Sequence, residues 1–254
     1  MLGYIMKLTV LGCYGPFPSA GGTCSGYLLE QDGYAILLDC GNGVLSNLQY
    51  FVRLDELSAV IISHLHSDHI SDLFILRHAL SLSKYSGLRT SPLKIYSPAE
   101  PAAEYDRLFL YKDQYDIEVI NEKKRFEIGP FLFSFLHTVH SIPSYAISVL
   151  SNNRNKLVYS SDTEYFPQLS SFAEDASLFL CESTFLSSDL QKGAINHLSA
   201  KQAAKLAFEG QVKQLLLTHF LPYNEHERYH EEATAIFPAT ELAKENSSYQ
   251  VNSV

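Results

Sequence analysis

Ser63-His-Leu-His-Ser-Asp-His-Ile70 constrains this chain more than any other stretch. Three histidines and an aspartate fall within six positions, directly after the apolar run Ala59-Val-Ile-Ile62. Successive side chains of a strand point to opposite faces, so His64 and His66 share one face where the strand ends. The chain then turns, and Asp68 and His69 can face a second point. Imidazole and carboxylate suit zinc and related divalent cations. A solvated histidine-rich loop would need a separate reason for each of the four side chains.

One cluster does not complete two metal positions, so partners must converge on it from other strand ends. Three candidates fit. His140 follows Phe131-Leu-Phe-Ser-Phe-Leu136, Asp162 follows Lys156-Leu-Val-Tyr-Ser-Ser161, and His219 ends Gln214-Leu-Leu-Leu-Thr218. His137 competes with His140. Three apart on a strand, they cannot share a face, and His140 lies nearer the turn Ser141-Ile-Pro143.

The rest of the pattern is that of a globular α/β chain. Its 254 residues, 46% hydrophobic and 19% charged, suffice for a core without disulfide staples. Short apolar runs bounded by turn residues predict strands at Leu8–Leu11, Gly26–Leu29, Ala35–Asp39, Ala59–Ser63, Lys94–Tyr96, Asp116–Ile120, Phe131–His137, Tyr145–Leu150, Leu157–Ser160, Leu178–Cys181 and Gln214–Thr218. Helical windows fall at Asp72–Ser83, Glu100–Tyr111, Phe166–Glu174, Ser199–Glu209 and Glu225–Phe237, with Pro238 ending the last before one further turn. Early strands follow one another across short turns, and later ones alternate with helices. Mixed sheets covered by helices, in a single domain over residues 1–254, are therefore expected. Residues 1–5 read as an upstream extension before a natural start at Met6, and the polar stretch 246–254 as a frayed tail. No apolar run approaches the ~20 residues of a membrane span. No export signal is visible, which predicts a cytoplasmic protein with Cys13, Cys24, Cys40 and Cys181 reduced and buried. The net charge of −9 opposes a broad nucleic-acid surface, and Lys123-Lys-Arg125 reads as a solvated turn.

The order His-x-His-x-Asp-His, then separated His, Asp and His, resembles the metallo-β-lactamase superfamily, from Leu38-Asp-Cys-Gly41 to Leu217-Thr-His-Phe220. The resemblance implies a four-layered αββα sandwich with two metals at one edge. By match, His64, His66 and His140 would hold the first ion. Asp68, His69 and His219 would hold the second, and Asp162 would bridge them. Asp39 matches an early aspartate that orients ligands. Two divalent ions are implied, zinc first, with manganese or iron as alternatives.

Further motifs resemble the ribonuclease Z branch: Ser161-Asp-Thr163, Cys181-Glu-Ser-Thr-Phe185 and His197-Leu-Ser-Ala200. The catalytic dyad of that branch matches Glu182 and His197. The plainer alternatives are a surface carboxylate at a strand end and the entrance of a helix with Ser199 near its N-cap. Three features depart from ribonuclease Z, the net charge of −9 among them. Only 22 positions lead from His140 to Asp162 and 20 from there to Glu182, which leaves no room for a tRNA-gripping arm. Ser71-Asp-Leu-Phe74 stands where a Gly-Leu-Pro-Gly-like segment is usual. The segments Gly12-Cys-Tyr-Gly-Pro-Phe-Pro18 and Thr23-Cys-Ser-Gly-Tyr27 look like those of short, armless relatives.

What the resemblance implies is a phosphodiesterase using a metal-bridging hydroxide. Asp68 would orient it, and His197, positioned by Glu182, would stabilise a phosphoryl oxygen or protonate the leaving group. Thr163 would support phosphate contact. Two divalent ions against two carboxylates and a hydroxide leave about +1 on the site. That suits a small anionic phosphodiester or a short RNA end; a homodimer is the family-level expectation. The alternatives are a thioester or lactone hydrolase of the same fold, or a metal-bound scaffold or sensor without turnover. His226-Glu-Arg-Tyr-His230 fits a zinc-protease motif, but its polar flanks predict a solvated helix. His78 reads as helix packing, and Tyr14, Phe17 and Tyr145 as candidates to line a cleft.

Overall fold

Strands whose side chains are apolar on both faces must be covered on both, and this chain covers them in four layers. The computed structural model describes residues 5–193 and 195–252. The first sheet takes β1 (Met6–Gly12), β2 (Gly26–Gln31), β3 (Tyr34–Leu38), β4 (Ala59–Ile61), β5 (Leu93–Ser97) and β6 (Tyr115–Val119). The second takes β7 (Arg125–Ile128), β8 (Phe131–His137), β9 (Tyr145–Ser151), β10 (Lys156–Tyr159), β11 (Leu178–Glu182), β12 (Leu215–Thr218) and β13 (Thr240–Leu242). The chain then returns to the first sheet as β14 (Ser247–Val251). The orders are β14-β1-β2-β3-β4-β5-β6 and β13-β12-β11-β10-β9-β8-β7. Each sheet is antiparallel in its first part and parallel after β3 or β10. The two halves thus share one plan although no sequence repeat is visible.

Period-two alternation sets the layers. Ile36 and Leu38 of β3, with Ala59 and Ile61 of β4, join Phe131, Phe133 and Phe135 of β8 in the core between the sheets. Leu37 and Val60 face the other way, onto the helices Val44–Leu48, Leu73–Tyr85 and Ala102–Phe109. The outer face of the second sheet is covered by Gln168–Phe172, Ala200–Glu209 and His226–Thr234. This is the four-layered αββα architecture expected from the resemblance.

Several expectations need correction. The tail does not fray: β14 pairs antiparallel with β1, Met6 facing Val251 and Val10 facing Ser247, and Val251 is buried. After Pro238 the chain forms β13 rather than another helical turn. Arg125 belongs to β7 as well as to the basic turn before it. His78 is mid-helix but exposed, because Leu73, Leu76 and Leu80 carry the buried stripe. Residues 1–4 of the expected extension, and 253–254, lie outside the described residues, while Met6 already belongs to β1 and is buried. All four cysteines are free and buried, as expected. Among the described residues, no helix is long and apolar enough to cross a membrane.

Polar contacts tie the sheets together near the ends that carry the histidines. The Tyr159 hydroxyl donates to Asp39 (2.9 Å), Tyr27 and Thr218 share a hydroxyl hydrogen bond (2.7 Å), and the Tyr145 amide donates to the Ser63 carbonyl (3.1 Å). Each joins one sheet, or the loop leaving it, to the other.

Candidate metal centre

Asp39, Ser161 and His219 each directly follow a strand or lie within two residues of its end, and each has left-handed φ, between 54° and 60°. Non-glycine residues enter this region at a cost, and such outliers gather where a site over-determines them. Here the turn swings each side chain back over the strand ends. β4 stops at Ile61, earlier than expected, and His64 and His66 occupy the turn before the short helix Ser67–Ile70. They reach one point with different atoms, Nε2 of His64 and Nδ1 of His66, which lie 3.1 Å apart. Nε2 of His140 is also 3.1 Å from Nδ1 of His66. On the other side, Nε2 of His69 lies 3.3 Å from Nε2 of His219 and 3.5 Å from Oδ2 of Asp68. Asp162 stands between: its Oδ2 is 3.6 Å from His64, 3.4 Å from His69, 3.4 Å from His219 and 4.0 Å from His140.

Two groups of ligand atoms result, His64–His66–His140–Asp162 and Asp68–His69–Asp162–His219, each within 4.8 Å. Asp162 is common to both. His137 lies outside them, exposed and edge-on to Tyr145. The donor set fits divalent cations. Oδ1 of Asp162 is buried without a hydrogen-bond partner, and leaving such an atom bare costs ~1–3 kcal/mol. Burial holds His64 well below its usual pKa, and lowers His66 and His140 also. Neutral imidazoles with lone pairs facing one another are what a cation organises. Burial opposes the charge of His69, but Asp162, Asp68 and Asp39 around it hold it well above the usual range. Burial likewise opposes ionisation of Asp162, and His219, His69 and His64 hold it well below the usual carboxylate range.

The outer nitrogens of four of these histidines are also engaged. Nδ1 of His69 meets Asp39 (2.7 Å), Nδ1 of His140 the Asn196 carbonyl (2.9 Å), Nδ1 of His219 the Thr184 hydroxyl (2.8 Å) and Nδ1 of His64 the Ser63 hydroxyl (3.1 Å). Such partners fix ring orientation and tautomer. Asp39 also accepts from the Ser63 amide (2.7 Å) and hydroxyl (2.8 Å).

Beside the cluster, His197 Nδ1 lies 3.0 Å from Oε1 of Glu182. Glu182 is fully buried, so it is not a surface carboxylate. Its two oxygens accept from the Thr163 amide, His197, and the Thr184 amide and hydroxyl. With those donors in place, Glu182 acts as a hydrogen-bond hub, although Glu182, His197 and His219 also lie close enough to form a third grouping. Burial disfavours a charged His197, but Glu182, with Asp162 and Asp68 behind it, pushes its pKa up to about 9. Ser199 caps the helix Ala200–Glu209 in a reciprocal box with Gln202, which is compatible with His197 facing the site.

Pro16, His66, Ser67, Asp68, His140, Ser141, Asp162, Ile195, Asn196 and His197 line a cavity of about 440 Å³ over the cluster. Tyr14 and Tyr145 do not line it; they pack on His226 and His137. Phe17, next to Pro16 in the chain, packs on Tyr223. The Thr163 hydroxyl is buried between the Val139 amide and the Glu164 carbonyl, so it is not a phosphate contact. Glu227 of the protease-like motif is exposed, His226 and His230 are half-buried, and Tyr229 is fully buried.

A Beta-lactamase superfamily domain model matches residues 34–220, which spans both ligand groups. The chain belongs to the metallo-β-lactamase superfamily. A superfamily member from Bacillus subtilis, the probable metallo-hydrolase YhfI, is 33% identical over 232 residues, covering 91% of this chain and 94% of that protein. Its crystal structure superposes with a TM-score of 0.91 over 97% of this chain and 99% of the other. The chain is also similar to ribonuclease Z of Clostridioides difficile, at 26% identity over 306 residues, covering 98% of this chain and 99% of the relative. The human short-form tRNase Z shares the fold, with a TM-score of 0.76 at 22% identity over 97% of this chain and all of that one. Between His140 and Glu182 this chain carries only β9, β10, the helix Gln168–Phe172 and β11, so no arm projects there.

Beyond Asp39 and Glu182, sequence reasoning missed the supporting groups. Gly15 is one: a Cβ there would overlap the His219 imidazole. Gly15→Ala is expected to displace that ring and weaken retention of one divalent ion by about 10-fold or more. Competition with a chelator checks this, and unchanged affinity for both ions would contradict it.

Proposed function

We propose that this metallo-hydrolase is a dinuclear metal-dependent phosphodiesterase acting on small anionic phosphodiesters or short RNA ends. The observation that carries the reading is the buried Glu182–His197 pair set against the shared Asp162, with His197 opening into the same cavity. A proton or hydrogen bond from His197 would serve a phosphoryl oxygen or the oxygen that leaves.

His64, His66 and His140 would hold one ion, Asp68, His69 and His219 the other, and Asp162 both. A donor set of imidazole and carboxylate without thiolate suits zinc, with manganese or iron also accommodated. When bound, such a pair lowers the pKa of water to about 7 and neutralises charge on attacking and leaving oxygens. Asp68, at the cavity wall, would orient the attacking water and accept its proton. His197, held through Nδ1 by Glu182, presents its other nitrogen to a phosphoryl or leaving oxygen. Among the described residues, no lysine or arginine lines the cavity, so beyond His197 the side chains offer little countercharge for a long polyanion.

Turnover of bis-p-nitrophenyl phosphate, compared with a thioester and lactone panel, tests the reading. Phosphodiester hydrolysis that stops on chelation and returns with zinc is expected. Hydrolysis confined to acyl substrates, or no hydrolysis with both ions bound, would contradict it.

A further inference from the structure

The helix His226–Thr234 carries the H-E-x-x-H spacing, which the proposed reaction does not use. Its fully buried Tyr229 points toward the site. The Tyr229 hydroxyl donates to the Thr184 carbonyl (2.9 Å) and accepts from Asn224 Nδ2 (2.9 Å) and the Leu221 amide (3.4 Å). Thr184 follows β11 and is itself buried. Its Oγ1 lies 2.8 Å from Nδ1 of His219 and 2.9 Å from Oε2 of Glu182.

A hydroxyl has one proton to donate, and a carboxylate can only accept. The Thr184 proton therefore goes to Glu182, and its oxygen accepts Nδ1–H of His219. That choice leaves Nε2 of His219 as the nitrogen with a free lone pair, and Nε2 faces Asp68 (3.3 Å) and Asp162 (3.4 Å). The same contact fixes the Glu182 carboxylate, whose other oxygen holds His197. One hydroxyl thus sets the tautomer of a proposed ligand and the rotamer of the carboxylate behind the proposed acid.

We propose that Thr184 is a positioning residue that couples the Asp68–His69–His219 metal position to the Glu182–His197 pair, with Tyr229 bracing it from the neighbouring helix. The coupling rests on the dinuclear reading above, yet its metal arm is measured without any substrate.

Three variants test it. T184V removes the hydroxyl at nearly constant volume, T184S keeps it, and Y229F removes the brace. Affinity for each of two zinc ions is measured by chelator competition, and kcat and KM on bis-p-nitrophenyl phosphate at saturating zinc. For T184V, one ion is expected to bind about 10- to 100-fold more weakly while the other is unchanged, and kcat to fall about 10-fold or more with KM nearly constant. T184S is expected to stay close to the parent, and Y229F to move in the T184V direction by less. Parent-like affinities and kcat in T184V would overturn the proposal, as would equal impairment of T184S and T184V, or a change in KM alone. If T184V does not fold, Y229F decides: selective weakening of one ion with lowered kcat supports the coupling, and parent-like values overturn it. If the parent binds two ions but cleaves no phosphodiester, the function reading fails. Selective weakening of one ion in T184V still supports the coupling, and its absence sinks it.

Discussion

Replacing His197 with alanine is expected to lower phosphodiester turnover by about 10²- to 10⁴-fold while both ions remain bound. The ring is the one member of the site that is partly exposed to the cavity and anchored by a fully buried carboxylate. Against burial, Glu182 beside it pushes its pKa up, which favours the protonated ring that a leaving oxygen needs. His197 lies outside the two groups centred on Asp162, so its removal leaves those ligands intact. Metal content by atomic absorption, with kcat on bis-p-nitrophenyl phosphate, separates the two effects. Full turnover in this variant would remove His197 from the mechanism.

Asp162→Ala is expected to have the larger effect on metal. Its Oδ2 lies within 4.0 Å of ring nitrogens from His64, His69, His140, His197 and His219, and its Oδ1 has no other partner. Without the shared carboxylate, both ligand groups lose a member and the imidazoles lose their buried counter-charge. Bound metal should fall to one ion or fewer per chain after dialysis. Turnover should fall by roughly 10³-fold or more, since an ion contributes several kcal/mol of charge stabilisation. His64→Ala, by contrast, strips a ligand from one group only. Asp162→Ala protein that keeps a full pair of ions would show that the carboxylate is not shared.

The sequence was most informative where chemistry is compressed into a few positions. Ser63–Ile70 pointed to a metal site, and the strand-end rule named His140, Asp162 and His219, which the fold brings to the same cluster. Central strands such as Leu178-Phe-Leu-Cys-Glu182 were legible because burial on both faces makes them continuously apolar. The strands that escaped notice, β7, β13 and β14, are all edge strands. Ser247-Ser-Tyr-Gln-Val251 and Thr240-Glu-Leu242 pair with one neighbour and bury little, so pairing rather than side-chain pattern makes them strands. Support of the site was the least legible part. The Asn196 carbonyl behind His140 belongs to a backbone atom and leaves no mark on residue type. Thr184 and Gly15 gain meaning only when β11, β12 and the loop after β1 converge. His226-Glu-Arg-Tyr-His230 pointed at its histidines, whereas its buried residue, Tyr229, does the bracing.

Metal stoichiometry followed together with activity tests the account most directly. Zinc-loaded protein titrated with a chelator should begin with two ions per chain and lose bis-p-nitrophenyl phosphate turnover as they leave. Protein that saturates at one ion, or that hydrolyses the diester equally well when stripped of metal, would contradict the shared-carboxylate centre on which the account depends.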